Sequence, residues 1–435
     1  MMQWSRFNLM FRSKDKEILL YNSGSSSFLQ FGEESFEILS HIKENPNMDL
    51  SSKPNLYFQL RLGGFLVENG ADDDLVRILK MNRLASNYAS NELNLTIAVS
   101  MMCNFNCDYC YEQNRTSLVM SEATAEALVL FIKKHKHLNK INVVWYGGEP
   151  LLVFDKVKSL SRKIQGLGLE YEAQLVTNGY LLTPEIIASF DEMKISHLQI
   201  TIDGIKETHN RRRYLKCGGD TYIRIMDNID SLLSSKWNGR LDLRVNVDKR
   251  NSNDFAEVYE LIKQLYPKKF NRKVNVYPGF VDDYARPINS DYFASYDKGQ
   301  FLVNQSENHG VNPLRIFPRM ELGGCTMTKK NAYVVGLEGE LYKCWRDLGD
   351  ENAVIGDIHC LTNWNMSLVA EGMVGSSYLN DEFCESCLLF PVCDGGCPKI
   401  RMLNNRDRGN RNTCTYFHQH TEQLLEIHFR QKNQQ

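Results

Sequence analysis

Three cysteines within eight residues, Cys103-Asn-Phe-Asn-Cys107-Asp-Tyr-Cys110, follow directly on an apolar run from Leu93 to Val99. The run reads as a strand, so the loop presents three thiols at a strand end. Fe–S clusters are held by Cys thiolates, and a four-iron cluster with only three of them keeps one iron open to another ligand. Two other readings stand beside this one: ligands of a zinc site, or small buried hydrophobes.

The C-x3-C-x2-C spacing, with aromatic Tyr109 before the last cysteine, resembles the radical S-adenosylmethionine (SAM) superfamily. The resemblance implies that Cys103, Cys107 and Cys110 hold a [4Fe–4S] cluster whose open iron chelates SAM and whose electron splits it to a 5′-deoxyadenosyl radical. A second landmark, Gly147-Gly148-Glu149-Pro150, ends the next apolar strand-like run. Two glycines allow close approach of a ligand to the backbone, and the tetrapeptide matches the family's motif for the SAM amino group. Thr177-Asn178-Gly179 and Thr201-Ile202-Asp203-Gly204 end the third and fourth runs, where the resemblance implies contacts to SAM from Asn178, Thr201 and Asp203. An Asp-Gly pair is otherwise ordinary turn chemistry.

Around these motifs, residues 93 to 282 alternate apolar strand-like and amphipathic helical runs, the signature of βα units on a parallel sheet. Strands are expected at Asn94–Val99, Asn142–Tyr146, Glu172–Thr177, His197–Thr201, Asp242–Val247 and Lys273–Val276. Helices are expected at Ser121–His135, Phe154–Leu167, Pro184–Met193, Thr221–Ser235 and Asp254–Tyr266. This is an α/β chain with the partial (βα)6 barrel that the resemblance implies, and barrels so built carry their sites at the C-terminal strand ends. His209-Asn-Arg-Arg-Arg213 reads either as a source of arginine for a carboxylate or as a solvated loop. Arg244 and Asn246 share one face of a strand and are pocket candidates.

Residues 1 to 90 carry no cysteine. Strand-like Phe7–Phe11, Glu17–Tyr21 and Ser27–Phe31 precede a helical Glu33–Lys43, an apolar Leu56–Leu62 and a Gly-led strand, an order that looks like a winged helix-turn-helix. In peptide-modifying radical SAM enzymes a similar unit recognises a leader peptide as an added strand. Residues 91–317 would then be the barrel and 318–435 a third domain. There Cys325-x13-Gly339-x4-Cys344, Cys384-x2-Cys387-x5-Cys393-x3-Cys397 and Cys414 match the SPASM domain behind radical SAM cores of peptide and protein maturases. The resemblance implies one auxiliary [4Fe–4S] cluster on Cys384, Cys387, Cys393 and Cys414 and another on Cys325, Cys344 and Cys397, three clusters in all. Phe317–Leu322 holds no fourth thiol for the latter, and Cys360 is the spare. Cys217 reads as incidental.

A formal net charge of −2 gives no basic field for nucleic acid. No apolar stretch of membrane-spanning length occurs. Twelve cysteines with no evident signal peptide suit a reducing, cytoplasmic setting. The expected function is a radical SAM maturase that installs a carbon–carbon or thioether crosslink in a ribosomally made precursor peptide bearing a leader, with flavodoxin or ferredoxin as electron donor. An anaerobic sulfatase-maturing enzyme, a peptide epimerase and a non-catalytic Fe–S redox sensor are the alternatives.

Overall fold

The computed structural model describes residues 1–112, 116–281, 291–312 and 324–433. The N-terminal part holds β1 (Met2–Trp4), β2 (Asn8–Arg12), β3 (Ile18–Asn22), β4 (Ser27–Phe31), α1 (Phe36–Glu44), α2 (Pro54–Leu62), β5 (Leu66–Glu68) and α3 (Ala71–Asn87). β2, β3 and β4 form an antiparallel sheet with β2 and β4 as its edges, while β1 pairs with β5. Ile18 and Leu20 on one face of β3 meet Leu39, Ile42, Leu60 and Phe65 in a core of their own. The long α3 and the strand β1 are additions to the expected elements.

The barrel strands are β6 (Glu92–Ala98), β7 (Lys140–Tyr146), β8 (Glu170–Thr177), β9 (Ile195–Thr201), β10 (Arg240–Val247) and β11 (Val274–Phe280). They lie side by side in chain order and all parallel. Parallel neighbours need a crossover. It is supplied by α4 (Glu122–Lys134), α5 (Phe154–Gln165), α6 (Pro184–Ala188), α7 (Lys206–Arg212) with α8 (Tyr222–Ser234), and α9 (Asp254–Leu265). Each strand is added on the same side of the last, as in the partial (βα)6 barrel that the resemblance implies. Alternation divides each strand: Leu241, Leu243, Val245 and Val247 of β10 are buried in the main core, at about 1.5–3 kcal/mol per fully buried side chain. Asp242 and Arg244, between them, are only half-buried.

Two expectations need correction. The helix read to Met193 stops at Ala188, because Ser189 caps it and the chain turns through Lys194 at φ 53° into β9. The segment that could have been a solvated loop is instead α7, with His209 and Arg212 buried. Buried acids elsewhere in the fold compensate its charge: Arg212 pairs with Asp203 and with Asp248.

The cysteine-rich segment is stitched into the barrel sheet. β12 (Ala332–Val335) runs parallel to β6, with Ala332 opposite Asn94, and β13 (Glu340–Tyr342) and β14 (Gly356–Asp357) follow antiparallel. Gly339 turns the chain at φ 104°, and a Cβ there would lie 2.8 Å from Ile358 and from His359. The expected boundary at 317/318 and the stretch Phe317–Leu322 lie outside the described residues, as does Asp282.

The N-terminal part is also anchored on the cysteine-rich region. Phe7, Val76 and Leu79 pack with Leu379 and Phe390. The buried Arg83 of α3 donates to the carbonyls of Phe390 (3.0 Å) and Pro391 (2.9 Å) and lies over the Tyr378 and Phe390 rings. Arg83→Met keeps the bulk and leaves both carbonyls without their donor, so docking should weaken by roughly 2–4 kcal/mol. Limited proteolysis should then cut between the N-terminal part and the barrel earlier than in the wild type.

Candidate active site

One pocket opens at the C-terminal ends of the barrel strands, and Cys103, Cys107 and Cys110 all line it. The loop that carries them is held from both sides. Phe105 bridges to Leu215, and Asn106 N–H donates to the Tyr214 carbonyl. On the other side Gly148 N–H donates to Ser100 O at 3.0 Å and Glu149 N–H to Met102 O at 2.7 Å. The Gly-Gly turn thus lashes β7 to the cysteine loop. Gly147 has φ 123°, and a Cβ on Gly148 would sit 2.3 Å from Met102 O and 2.5 Å from Met101 O. Gly148→Ala must therefore displace the loop backbone. A shift of about 1 Å in a reacting group can cost on the order of 100-fold in rate, so SAM cleavage by this variant should fall by about that factor with circular dichroism unchanged.

The sequence-expected residues divide into two groups. Tyr109, Gly147, Gly148, Asn178 and Thr201 line the pocket. Glu149, Pro150 and Asp203 are buried behind it. Glu149 accepts from Leu151 N (3.0 Å), Thr177 Oγ1 (2.7 Å) and Asn178 N (2.7 Å), which ties the ends of β7 and β8 together. Burial raises its carboxyl above the usual range, against the pull of these donors. Asp203 takes Arg212 Nε at 3.4 Å.

Arg213 enters the pocket from the end of α7. Thr221 Oγ1, which accepts from His209 Nε2, donates to the Arg213 carbonyl at 2.6 Å. Burial holds His209 well below the ordinary imidazole range, the neutral state in which its Nδ1 accepts from Asp203 N–H at 3.2 Å. Arg213 Nη1 donates to the Tyr109 hydroxyl at 2.6 Å, and Asn246 Nδ2 reaches the same oxygen at 3.0 Å. Arg213 Nε is buried with no hydrogen-bond acceptor among the described residues. Burial pushes the Cys107 thiol up to about 11, with Arg213 pulling the other way.

Several pocket residues were not anticipated. Gln199 comes from β9, while Tyr146 at the end of β7 stacks on Trp345 with ring centroids 5.8 Å apart. Tyr146 also meets Tyr111 hydroxyl to hydroxyl. Trp345 and Arg346 directly follow Cys344, so the cysteine-rich region supplies one wall of the barrel pocket. The Trp-Arg pair beside a candidate ligand was the available signal.

Cys384, Cys387, Cys393 and Cys414 together line a second, largely apolar pocket. Backbone N–H groups two residues on donate to Cys387 Sγ (3.4 Å) and Cys393 Sγ (3.3 Å), as Phe105 N–H does to Cys103 Sγ (3.4 Å). Arg401 donates to Cys384 Sγ at 3.1 Å while bound to Asp381 and to the Gly395 carbonyl. Burial raises Cys325, which also feels the charge of Cys397, and pushes Cys344 up to about 12, near Asp347 and Cys325. Cys360 and Cys217 are exposed, the Cys360 thiol beside Thr362 Oγ1 and the Cys217 thiol beside the adjacent Gly218 carbonyl. None of the twelve cysteines forms a disulfide. Among the described residues no three Cys, His, Asp or Glu side chains gather as a single-ion site, so the thiols frame pockets instead.

Residues 97–262 match the family model described as "Radical SAM superfamily". Residues 97–262 thus carry a radical SAM domain, and the chain is an enzyme similar to radical SAM/SPASM maturases. It is 30% identical over 164 residues to the AdoMet-dependent heme synthase of Methanosarcina barkeri, a match that spans 38% of this chain and 45% of that protein. Longer matches join it to the serine-type anaerobic sulfatase-maturating enzyme of Bacteroides thetaiotaomicron (24% identity; 71% of this chain, 83% of the relative). They also join it to the radical SAM cyclopropyl synthase TigE of Paramaledivibacter caminithermalis (22%; 90% and 89%). Among solved structures, native anSMEcpe with bound AdoMet and Cp18Cys peptide aligns at TM-score 0.59 and 22% identity, over 78% of this chain and 97% of that one. Streptococcus suis SuiB bound to precursor peptide SuiA aligns at 0.51 and 14%, over 96% and 99%.

A four-iron cluster and SAM fit the residues present. Three thiols share the pocket, a backbone N–H donates to one of their sulfurs, and the orphaned Arg213 Nε offers a donor to a carboxylate. No helix of the described residues is long and apolar enough to cross a membrane.

Proposed function

We propose that this enzyme installs an intramolecular carbon–carbon or thioether crosslink in a ribosomally made precursor peptide. The observation that carries the reading is the composite pocket: the three loop thiols, Arg213 and the residues after Cys344 line one space. Bound there, SAM and a reduced four-iron cluster supply a 5′-deoxyadenosyl radical that abstracts a substrate hydrogen.

The chain's own residues then have distinct tasks. Cys103, Cys107 and Cys110 hold the cluster, Arg213 orients the SAM carboxylate, and Asn178 and Thr201 supply polar contacts to the rest of SAM. Tyr111, Tyr146 and Trp345 cover the side facing the cysteine-rich region. Cys384, Cys387, Cys393 and Cys414 hold one auxiliary [4Fe–4S] cluster; Cys325, Cys344 and Cys397 hold the other. Residues 1–90 recognise the leader as a winged-helix-like unit, and the β2–β3–β4 sheet has edges to which an extended peptide can add. The units are 1–90, 91–317 and 318–435, working in the cytoplasm with a flavodoxin or ferredoxin as donor. SuiB carries a bound precursor peptide over nearly the same length of chain, which supports a peptide substrate.

Formylglycine formation on a sulfatase is the second reading, favoured by the match to 83% of the sulfatase-maturating relative. The test is anaerobic incubation of iron-reconstituted enzyme with SAM, reductant and the short peptide encoded beside its gene, followed by tandem mass spectrometry. Loss of two hydrogens, with fragmentation blocked between two residues, supports the crosslink. An unmodified peptide, with a sulfatase peptide oxidised instead, replaces it with the second reading.

A further inference from the structure

The pocket wall carries more positive charge than one SAM carboxylate calls for: Arg213, Arg244 and Arg346 against a single carboxylate, Glu112. Arg213 and Arg244 are the two ends of one hydrogen-bonded row. Arg213 Nη1 meets the Tyr109 hydroxyl (2.6 Å), Asn246 Nδ2 meets the same hydroxyl (3.0 Å), and Arg244 Nε donates to Asn246 Oδ1 (2.7 Å). The row holds the two guanidinium groups apart. Arg213 lies over the Phe105 ring within the cysteine loop. Arg244 is on β10, and its Nη groups make no hydrogen bond or ion pair with any described residue beyond that Nε anchor. Neighbouring arginines differ: Arg212 is paired with Asp203 and Asp248, and Arg250 with Asp248.

The adjacent strand makes room for this side chain. Asn246 is in register with Gly279 of β11. A Cβ on Gly279 would lie 2.2 Å from Arg244 Nε, 2.8 Å from Cζ and 2.9 Å from Nη2. Gly279 is not among the residues of positive φ, so space and not backbone freedom requires glycine here. The guanidinium is thus seated over a glycine with its fork unpaired in the pocket, the arrangement that suits bidentate capture of a carboxylate.

We propose that Arg244 docks a carboxylate of the peptide substrate, the side chain of an Asp or Glu at or beside the modified residue. The inference rests on the peptide-maturase reading and adds a selectivity to it. Lysine at this position would keep the charge and lose the fork, so it should substitute only in part.

The experiment measures steady-state crosslinking by wild type, Arg244→Gln and Arg244→Lys. The probe is the precursor peptide encoded beside the gene, along with versions in which each Asp or Glu is changed singly to Asn or Gln. A hydrogen-bonded charge pair supports a rise of about 10- to 100-fold in peptide KM for Arg244→Gln, with Arg244→Lys between it and wild type. One acid-to-amide peptide should show the same rise with wild type and little further rise with Arg244→Gln. A KM rise of equal size for every peptide overturns the proposal, as does a rise in the KM for SAM in place of that for the peptide. A modified segment without Asp or Glu also overturns it. If wild type forms 5′-deoxyadenosine and leaves every peptide unchanged, the maturase reading itself fails, a result distinct from the others.

Discussion

Changing Cys103, Cys107 and Cys110 together to alanine is expected to reduce 5′-deoxyadenosine formation to background while iron bound in the C-terminal region is retained. These thiols line the barrel pocket, whose lining includes no other cysteine, while Cys384, Cys387, Cys393 and Cys414 line a second pocket. Burial keeps Cys107 a thiol at neutral pH, up to about 11. A cation deprotonates a coordinating thiol outright, so a bare loop is no substitute for a loaded one. Each single Cys→Ala variant should fail as well, because the loop has no spare ligand: the next residues, Tyr111 and Glu112, are engaged with or lie beside Tyr146. The checks are chromatography of the nucleoside product under dithionite, iron quantification and electron paramagnetic resonance. A triple variant that still formed 5′-deoxyadenosine would sink the assignment of the pocket. Loss of all iron would instead show that the two cysteine-rich regions fold together with their clusters.

The strands were legible because alternation in β8 and β10 survives in one dimension. Through β10 and up to Leu175 of β8 the helix-facing positions are apolar and the others polar, whatever the tertiary context. The cysteine loop and the Gly-Gly turn were legible because their spacing is local. α7 was not. His209, Arg211, Arg212 and Arg213 look solvated until Asp248, contributed by a distant strand end, is brought against Arg212. The same limit applies to the pocket wall: Trp345 reaches Tyr146 only because β12 adds to β6, a pairing between residues more than two hundred apart. Glu149 and Asp203 show the complementary case. The sequence places a carboxylate at a strand end but does not say whether it faces the ligand or braces the scaffold, and here both are turned away from the pocket.

That orientation makes Glu149→Ala the second large effect. The wild-type carboxylate satisfies three buried donors, Leu151 N, Thr177 Oγ1 and Asn178 N. Alanine leaves all three without an acceptor, at about 1–3 kcal/mol each, so roughly 3–9 kcal/mol is lost from the β7–β8 end if the costs add. Glutamine keeps one acceptor oxygen but turns an NH2 toward a donor, and should lose about half as much. The charge itself is not the source of the stability. Burial raises the folded carboxyl above its ordinary value, so the folded state favours the protonated form and the ionised form is the costlier one above that value. Stability from this group is therefore greatest at pH below the ordinary carboxylate range and declines as pH rises toward the raised folded value. Glutamine, which cannot ionise, should accordingly narrow its deficit relative to wild type as pH rises through that window. Thermal melts of both variants between pH 4 and 8 check the sign. SAM binding should fall in both variants through the displaced Asn178, whose backbone N–H holds the carboxylate and whose side chain lines the pocket. If Glu149→Ala melted like wild type and lost only SAM affinity, Glu149 would be a direct ligand and not the brace between β7 and β8.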